Sequence, residues 1–270
     1  KRHRIEVKTS RPQVTIRARP TFVVTGSPGA KTAPPPDPKA MLRDYGWYRD
    51  LPLRVSAFAF RDSGSPLLKI IVAAEPVDPT MTLNSAAFAL IDAQGRRGAE
   101  WTEDGVNVVL RPLVTAAAVP PGDYRLRVAA VDTEGRRGAA DFEFSARLAE
   151  TGAFQIGSIM LGGVERGAFR PSLVSEGRSE AVTAYTELYG APAKGGAITA
   201  ACELAARPDG PPLVLAKADV LPTKEPDRFI VTGSLPLVGV AAGDYVLRLI
   251  VRVDGREIGR VSRTLRRSGA

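Results

Sequence analysis

Along most of this chain apolar and polar residues alternate in steps of two. His3, Ile5 and Val7 interleave with Arg4, Glu6 and Lys8, and Val14, Ile16 and Ala18 interleave with Thr15, Arg17 and Arg19. Period two marks a strand with one buried face, and two such strands cannot hold a domain by themselves. Residues 25–39 break the pattern. Pro34, Pro35 and Pro36 favour an extended linker. Asp37-Pro38 then suits a helix start, with Asp as N-cap and Pro in the first turn, and predicts a short helix from Lys39 to Tyr45 that stops at Gly46. From Leu51 onward short alternating runs recur between Gly, Pro and Asp clusters. They predict strands over 51–61, 67–75, 85–92, 98–103, 106–111, 123–132 and 138–147. After a joint at 148–153, further strands are predicted over 154–161, 179–189, 196–206, 212–219, 227–236, 243–253 and 257–265. This spacing is that of β-sandwiches. Asp92 to Gly95 and Asp132 to Gly135 read as tight turns. Gly and Pro leave the boundaries near 162–178 and 207–226 open.

One segment occurs twice. Val119-Pro-Pro-Gly122-Asp123-Tyr124-Arg-Leu126-Arg-Val128 matches Val240-Ala-Ala-Gly243-Asp244-Tyr245-Val-Leu247-Arg-Leu249, with the tyrosines 121 residues apart. Tyr, Leu and the next aliphatic share one face of the strand, while Arg127 and Arg248 lie on the other. Gly permits a tight entry into the strand. A Tyr placed there can bury its ring and bond its hydroxyl to nearby backbone, as in the tyrosine corner of immunoglobulin-like sandwiches. The expectation is an all-β fold of two tandem immunoglobulin/fibronectin-III-like sandwiches, 51–149 and 150–270. A strand pair at 1–24 and a Pro-rich linker with a short helix at 25–50 precede them, and Tyr124 and Tyr245 are the corner candidates.

Composition supports this and narrows the chemistry. A chain of 270 residues suits two domains, and 26 Gly with 22 Pro suit many strands and turns. The single cysteine, Cys202, sits in an alternating apolar run and reads as a small buried hydrophobe. The single histidine, His3, lies in the N-terminal strand, so a His-based triad or metal site has little to build on. No nucleophile elbow or phosphate-binding Gly loop is present. Asp78, Asp92, Glu103, Asp104, Asp132, Asp141 and Asp254 fall at turns or strand ends, without a calcium-loop pattern. No catalytic, cofactor or metal residue is expected, and the chain is read as not an enzyme.

The net charge of +8 sits at the ends. Lys1, Arg2, Arg4, Lys8, Arg11, Arg17 and Arg19 face only Glu6, and Arg260, Arg263, Arg266 and Arg267 crowd the other end. These cations alternate with aliphatic rather than aromatic residues, so nucleic acid is not the expected partner. A protein partner or neighbouring module leads, with an acidic envelope polymer or other carbohydrate as the alternative. An inter-domain hydrolase site is the least favoured reading. Trp47, Tyr48 and Trp101, with Arg96, Arg97, Arg136 and Arg137, form the candidate interaction surface. No apolar run is long enough to span a bilayer. Lys1 in place of Met reads as the start of a processed form or a fragment.

His3-Arg-Ile-Glu-Val-Lys8, Arg11-Pro12 and Val14-Thr-Ile-Arg-Ala-Arg-Pro20 together resemble the tail of a von Willebrand factor A-related domain from secreted bacterial proteins of the acidobacterial type. Asp50 to Asp62, Lys69 to Glu75 and Val131 to Gly138 resemble the region after that domain. The similarity covers about residues 1–160. It implies an exported multi-module protein, with residues 1–24 the remnant of an upstream A domain. The Asp-x-Ser-x-Ser adhesion loop of that family is absent here, so the resemblance transfers no metal site.

Overall fold

The computed structural model describes residues 2–4, 21–23, 36–44, 46, 48–165, 167–173, 180–192 and 196–267. The chain divides into two compact units, Lys1–Pro36 and Asp37–Ala270. In the first, β1 (Arg2–Arg4) pairs antiparallel with β2 (Thr21–Val23), His3 opposite Phe22. The alternating run at 14–18 lies outside the described residues.

The second unit opens with α1 (Pro38–Arg43), whose N-terminus is capped by the Asp37 carboxylate accepting from the Lys39 amide. The helix ends at Asp44. Its buried Met41 and Leu42 pack on Ala87, Ala89, Ile91, Ala129 and Val131. The helix therefore covers one face of the first lobe, and residues from Asp37 onward belong to the compact body.

That lobe is built from β3 (Leu53–Arg61), β4 (Leu68–Pro76), β5 (Leu83–Asp92), β6 (Arg97–Asp104), β7 (Leu113–Val119), β8 (Gly122–Asp132) and β9 (Arg137–Ala146). Every pairing is antiparallel, in a three-stranded sheet ordered β3-β4-β7 and a four-stranded sheet ordered β6-β5-β8-β9. The inward phases of both sheets, among them Ile70, Val72, Phe88, Leu90, Leu126 and Val128, enclose one apolar core. This is the immunoglobulin/fibronectin-III-like sandwich.

The strand expected at 106–111 is absent. Gly105–Asn107 is a 3-10 turn in which Val106 stays exposed, and the strand forms seven residues later as β7. The sequence misleads there because Val106, Val108, Val109 and Leu110 carry the β-branched and apolar signal. The true strand, Leu-Val-Thr-Ala-Ala-Ala-Val, has three alanines in a row that dilute its β preference.

The second lobe comprises β10 (Ala149–Thr151), β11 (Phe154–Ile156), β12 (Met160–Glu165), β13 (Ala168–Pro171), β14 (Ala181–Tyr189), β15 (Ile198–Ala205), β16 (Pro212–Pro222), β17 (Arg228–Pro236), β18 (Gly243–Val253) and β19 (Arg256–Arg267). β16 changes layers. Its first part pairs with β15 and its last residues, Asp219 to Pro222, pair with β17. A second apolar core lies between the layers, with Leu188, Cys202, Leu204, Val231, Leu247 and Leu249 at its centre. The single strand expected at 154–161 is broken at Gly157-Ser158-Ile159 into β11 and β12, and the undetermined stretch after it holds the β12–β13 hairpin.

Candidate functional site

The duplicated segment places equivalent atoms in equivalent roles. The Tyr124 hydroxyl donates to the Pro120 carbonyl at 2.9 Å, and the Tyr245 hydroxyl donates to the Ala241 carbonyl at 2.9 Å. A Cβ on Gly122 would lie a tight 3.3 Å from the Tyr124 ring, whereas one on Gly243 would make ordinary contact with the Tyr245 ring at 3.6 Å, so the glycine leaves needed room only in the first copy. On the opposite face, Arg127 and Arg248 are buried clamps. Arg127 donates to Asp141 at 2.9 Å and to the Asp44 carbonyl at 3.3 Å. Arg248 pairs with Glu203 at 2.7 Å and donates to the carbonyls of Pro208 and Gly210. Each holds the segment that covers its sheet, a role the alternating pattern does not disclose.

The second lobe sits on the outer face of the three-stranded sheet. Phe58, Phe60 and Ala73 bury against Met160, with Ile71, Phe169, Leu173 and Tyr185 around them. The lobes approach so closely that a Cβ on Gly157 would lie 2.7 Å from the fully buried Phe60 ring. Two hydrogen bonds tie Ala59 to Ser158 across the joint: the Ser158 amide donates to the Ala59 carbonyl at 3.0 Å, and the Ala59 amide donates to Ser158 Oγ at 2.9 Å. Beside this contact the buried Glu187 carboxylate accepts from Tyr185 Oη at 2.9 Å, Tyr189 Oη at 2.7 Å, and Arg228 Nε and Nη2 at 2.9 and 2.8 Å. Tyr189 Oη in turn accepts from the Arg61 amide at 2.9 Å. The Arg61 guanidinium lies 4.5 Å from the Tyr189 ring centre and donates to Asp227 at 2.8 Å.

Charge follows this geometry. The hydrogen bond from Arg61 holds the Asp227 carboxyl below its usual range. Those from Ser63 and Arg228 do the same for Glu225. Burial, then the neighbouring Glu187, pushes the Tyr185 hydroxyl up; burial and the hydrogen bond to Glu187 do so for Tyr189. Every acid in the cluster is engaged by a cation or a hydroxyl. The arrangement is suited to clamping two lobes and offers no free general base.

Alongside the joint runs a groove of about 620 Å³, within the range of small-ligand sites. Its floor carries Arg263 of β19, which donates to the Ile159 carbonyl and to Ser56 Oγ, each at 3.1 Å, and lies 4.5 Å from the Phe58 ring centre. Burial pushes the Arg263 pKa down. On the first lobe β7 forms an edge of its sheet, bonded to β4 alone. Val114, Ala116 and Ala118 are exposed on its outer face, and no residue of the strand is charged. Every other edge strand within the described part of Asp37–Ala270 carries at least one charged residue.

The residues expected to form one interaction surface are dispersed. Trp101 is half-buried, stacked on Phe88 at 5.1 Å and bonded through its indole N–H to Thr115, so it offers no open platform. Tyr48 packs beside α1's cluster, with its hydroxyl on Asp44 and the Arg137 guanidinium 5.5 Å from its ring centre. Trp47 lies outside the described residues. Arg96 and Arg97 follow β5, whereas Arg136 and Arg137 follow β8. These strands are antiparallel neighbours, so the two Gly-Arg-Arg-Gly turns stand at opposite ends of the sheet and cannot make one positive rim. In each turn the arginine closes on the aspartate before it, Arg96 on Asp92 at 2.8 Å and Arg136 on Asp132 at 2.5 Å. Cys202 is fully buried, and burial pushes its thiol pKa up to about 11. No helix among the described residues is long and apolar enough to cross a membrane.

No family model and no curated protein matches the chain. Among solved structures, the C-terminal domain of the Streptococcus agalactiae antigen I/II polypeptide BspA is similar at 10% identity and a TM-score of 0.21, over 79% of this chain and 99% of that one. A carbohydrate-binding module of the β-sandwich superfamily is similar at 12% identity and a TM-score of 0.25, over 81% and 85%. The C-terminal domain of the Streptococcus pyogenes antigen I/II-family protein AspA follows at 8% identity and 0.21, over 79% and 99%. Likeness at this level leaves function to be argued from the geometry of this chain.

Proposed function

We propose that this chain is a non-enzymatic interaction module of an exported, multi-module protein, with sandwich domains at 51–149 and 150–270, and that it binds an extended segment of a partner protein by strand addition to β7. One observation carries the reading: β7 is an uncharged edge, whereas every other edge strand within the described part of Asp37–Ala270 carries charge. Soluble proteins blunt exposed edges with charge because a bare row of backbone N–H and C=O groups templates pairing. An edge left bare is suited to accept a strand, with main-chain hydrogen bonds supplying affinity and alternate side chains supplying specificity. Val114, Ala116 and Ala118 present small apolar positions for such a segment. The resemblance of residues 1–160 to sequences of secreted proteins supports the exported setting.

Selection of random extended peptides against the full chain tests this. Bound peptides should slow hydrogen exchange at 113–119, and Ala116→Lys should abolish their binding. Protection elsewhere, or a dimer formed through β7 in sedimentation, would overturn the assignment.

A further inference from the structure

The groove beside the joint contains a cation that the fold does not neutralise. Strand alternation puts Val261, Arg263 and Leu265 on the same, inward side of β19, opposite Leu249, Leu247 and Tyr245. Arg263 therefore occupies a position where the sandwich calls for an apolar residue. Two of its five N–H donors are used, both on neutral acceptors, one in each lobe. The rest have no partner among the described residues, and no carboxylate there pairs with it. By contrast Arg147, on the groove's rim, is already committed to Asp123 at 3.1 and 3.2 Å.

A half-buried guanidinium forgoes much of its hydration, and a planar bidentate acceptor such as a carboxylate restores the lost interactions best. The surroundings narrow what carries that carboxylate. Phe142 and Phe144 line the groove, half-buried, with their rings 6.4 Å apart and inclined by 20°. Ser56 and Ser158 also line the groove; their hydroxyls accept from Arg263 and from the Ala59 amide and keep an O–H to donate. An apolar ring wall, neutral hydroxyls and one cation match a pyranose that bears an acid group: a flat C–H face, several hydroxyls and a single negative charge. They match an acidic peptide less well, because its successive charges would meet only one unpaired arginine.

We infer that the groove between the lobes binds a uronic-acid saccharide, with Arg263 taking its carboxylate. The site is distinct from the β7 edge and stands independently of it. It exists only while the lobes are clamped, since Arg263 is held by Ser56 of one lobe and Ile159 of the other.

Calorimetric titration of the full chain with an oligogalacturonate, its carboxyl-reduced counterpart and a glutamate-rich peptide tests the assignment. The oligogalacturonate should bind, and the reduced oligomer and the peptide should bind at least tenfold more weakly. Arg263→Gln should weaken the acidic oligomer at least tenfold. Arg263 also bridges the lobes, so a second variant leaves it in place: Ala149→Tyr, at an exposed position that lines the groove opposite Ile156, should block the groove and cause the same loss with an unchanged unfolding midpoint. Equal binding of the reduced oligomer, preference for the peptide, unaltered binding in Ala149→Tyr, or no binding of the oligogalacturonate would each overturn the inference. In the last case Arg263 is an inward-facing charge that protects the β19 edge.

Discussion

At the scale of single residues, the duplicated tyrosines carry the same hydrogen bond in unequal surroundings. Tyr124 is 8% exposed, whereas Tyr245 is half-buried. Removing a buried hydroxyl's bond to a carbonyl costs about 1 kcal/mol. Tyr124→Phe should therefore lower stability by about that much, and Tyr245→Phe by less, because water competes for the Ala241 carbonyl. Chemical denaturation of both variants checks the order; equal or absent effects would contradict it. Much of this was legible in the sequence, because Gly-Asp-Tyr followed by alternating aliphatics declares both the strand and its buried phase. Arg127, Arg248 and Arg263 were not. The first two lie on a phase that reads as solvent-facing, and only the tertiary cover that folds over them shows that they are clamps. Arg263 did leave a signal, a cation in phase with Val261 and Leu265, but the surrounding run of arginines hides it.

Among the elements, the joint depends on a glycine more than on any strand. A Gly157→Ala methyl would meet the buried Phe60 ring, which has nowhere to retreat. The variant should loosen the lobes by about 1–3 kcal/mol while leaving each core intact, seen as faster proteolysis at 148–159 without loss of far-ultraviolet strand signal. Strands with strong alternation, such as β8 and β18, were predictable from period alone. β7 was not, because its alanines carry little β preference and its place is fixed by pairing with β4 and by the Trp101–Thr115 bond. The β11–β12 break was also hidden, since a glycine needed for close approach looks the same in sequence as one in a turn.

At the level of the whole molecule, the body from Asp37 onward holds two apolar cores that the joint ties together. Acid should act on the joint in a defined direction. Asp227 and Glu225 have lowered pKa values, so their contribution is complete above the ordinary carboxylate range, about pH 4. It is lost as the pH falls through their lowered folded values. The difference in thermal midpoint between the native chain and Arg61→Met should be constant from neutral pH to about 5 and shrink below about 4. A difference that grows on acidification would contradict this sign.

Native-state hydrogen exchange decides whether the two lobes move as one body, because three amides report on the joint alone. Ala59 donates to Ser158, Ser158 to Ala59, and Arg61 to the Tyr189 hydroxyl. If the joint is part of both cores, these amides exchange as slowly as the central amides of β8 and β18. Exchange orders of magnitude faster than in both cores would mean that the lobes open independently, and the account of a single clamped body would fail.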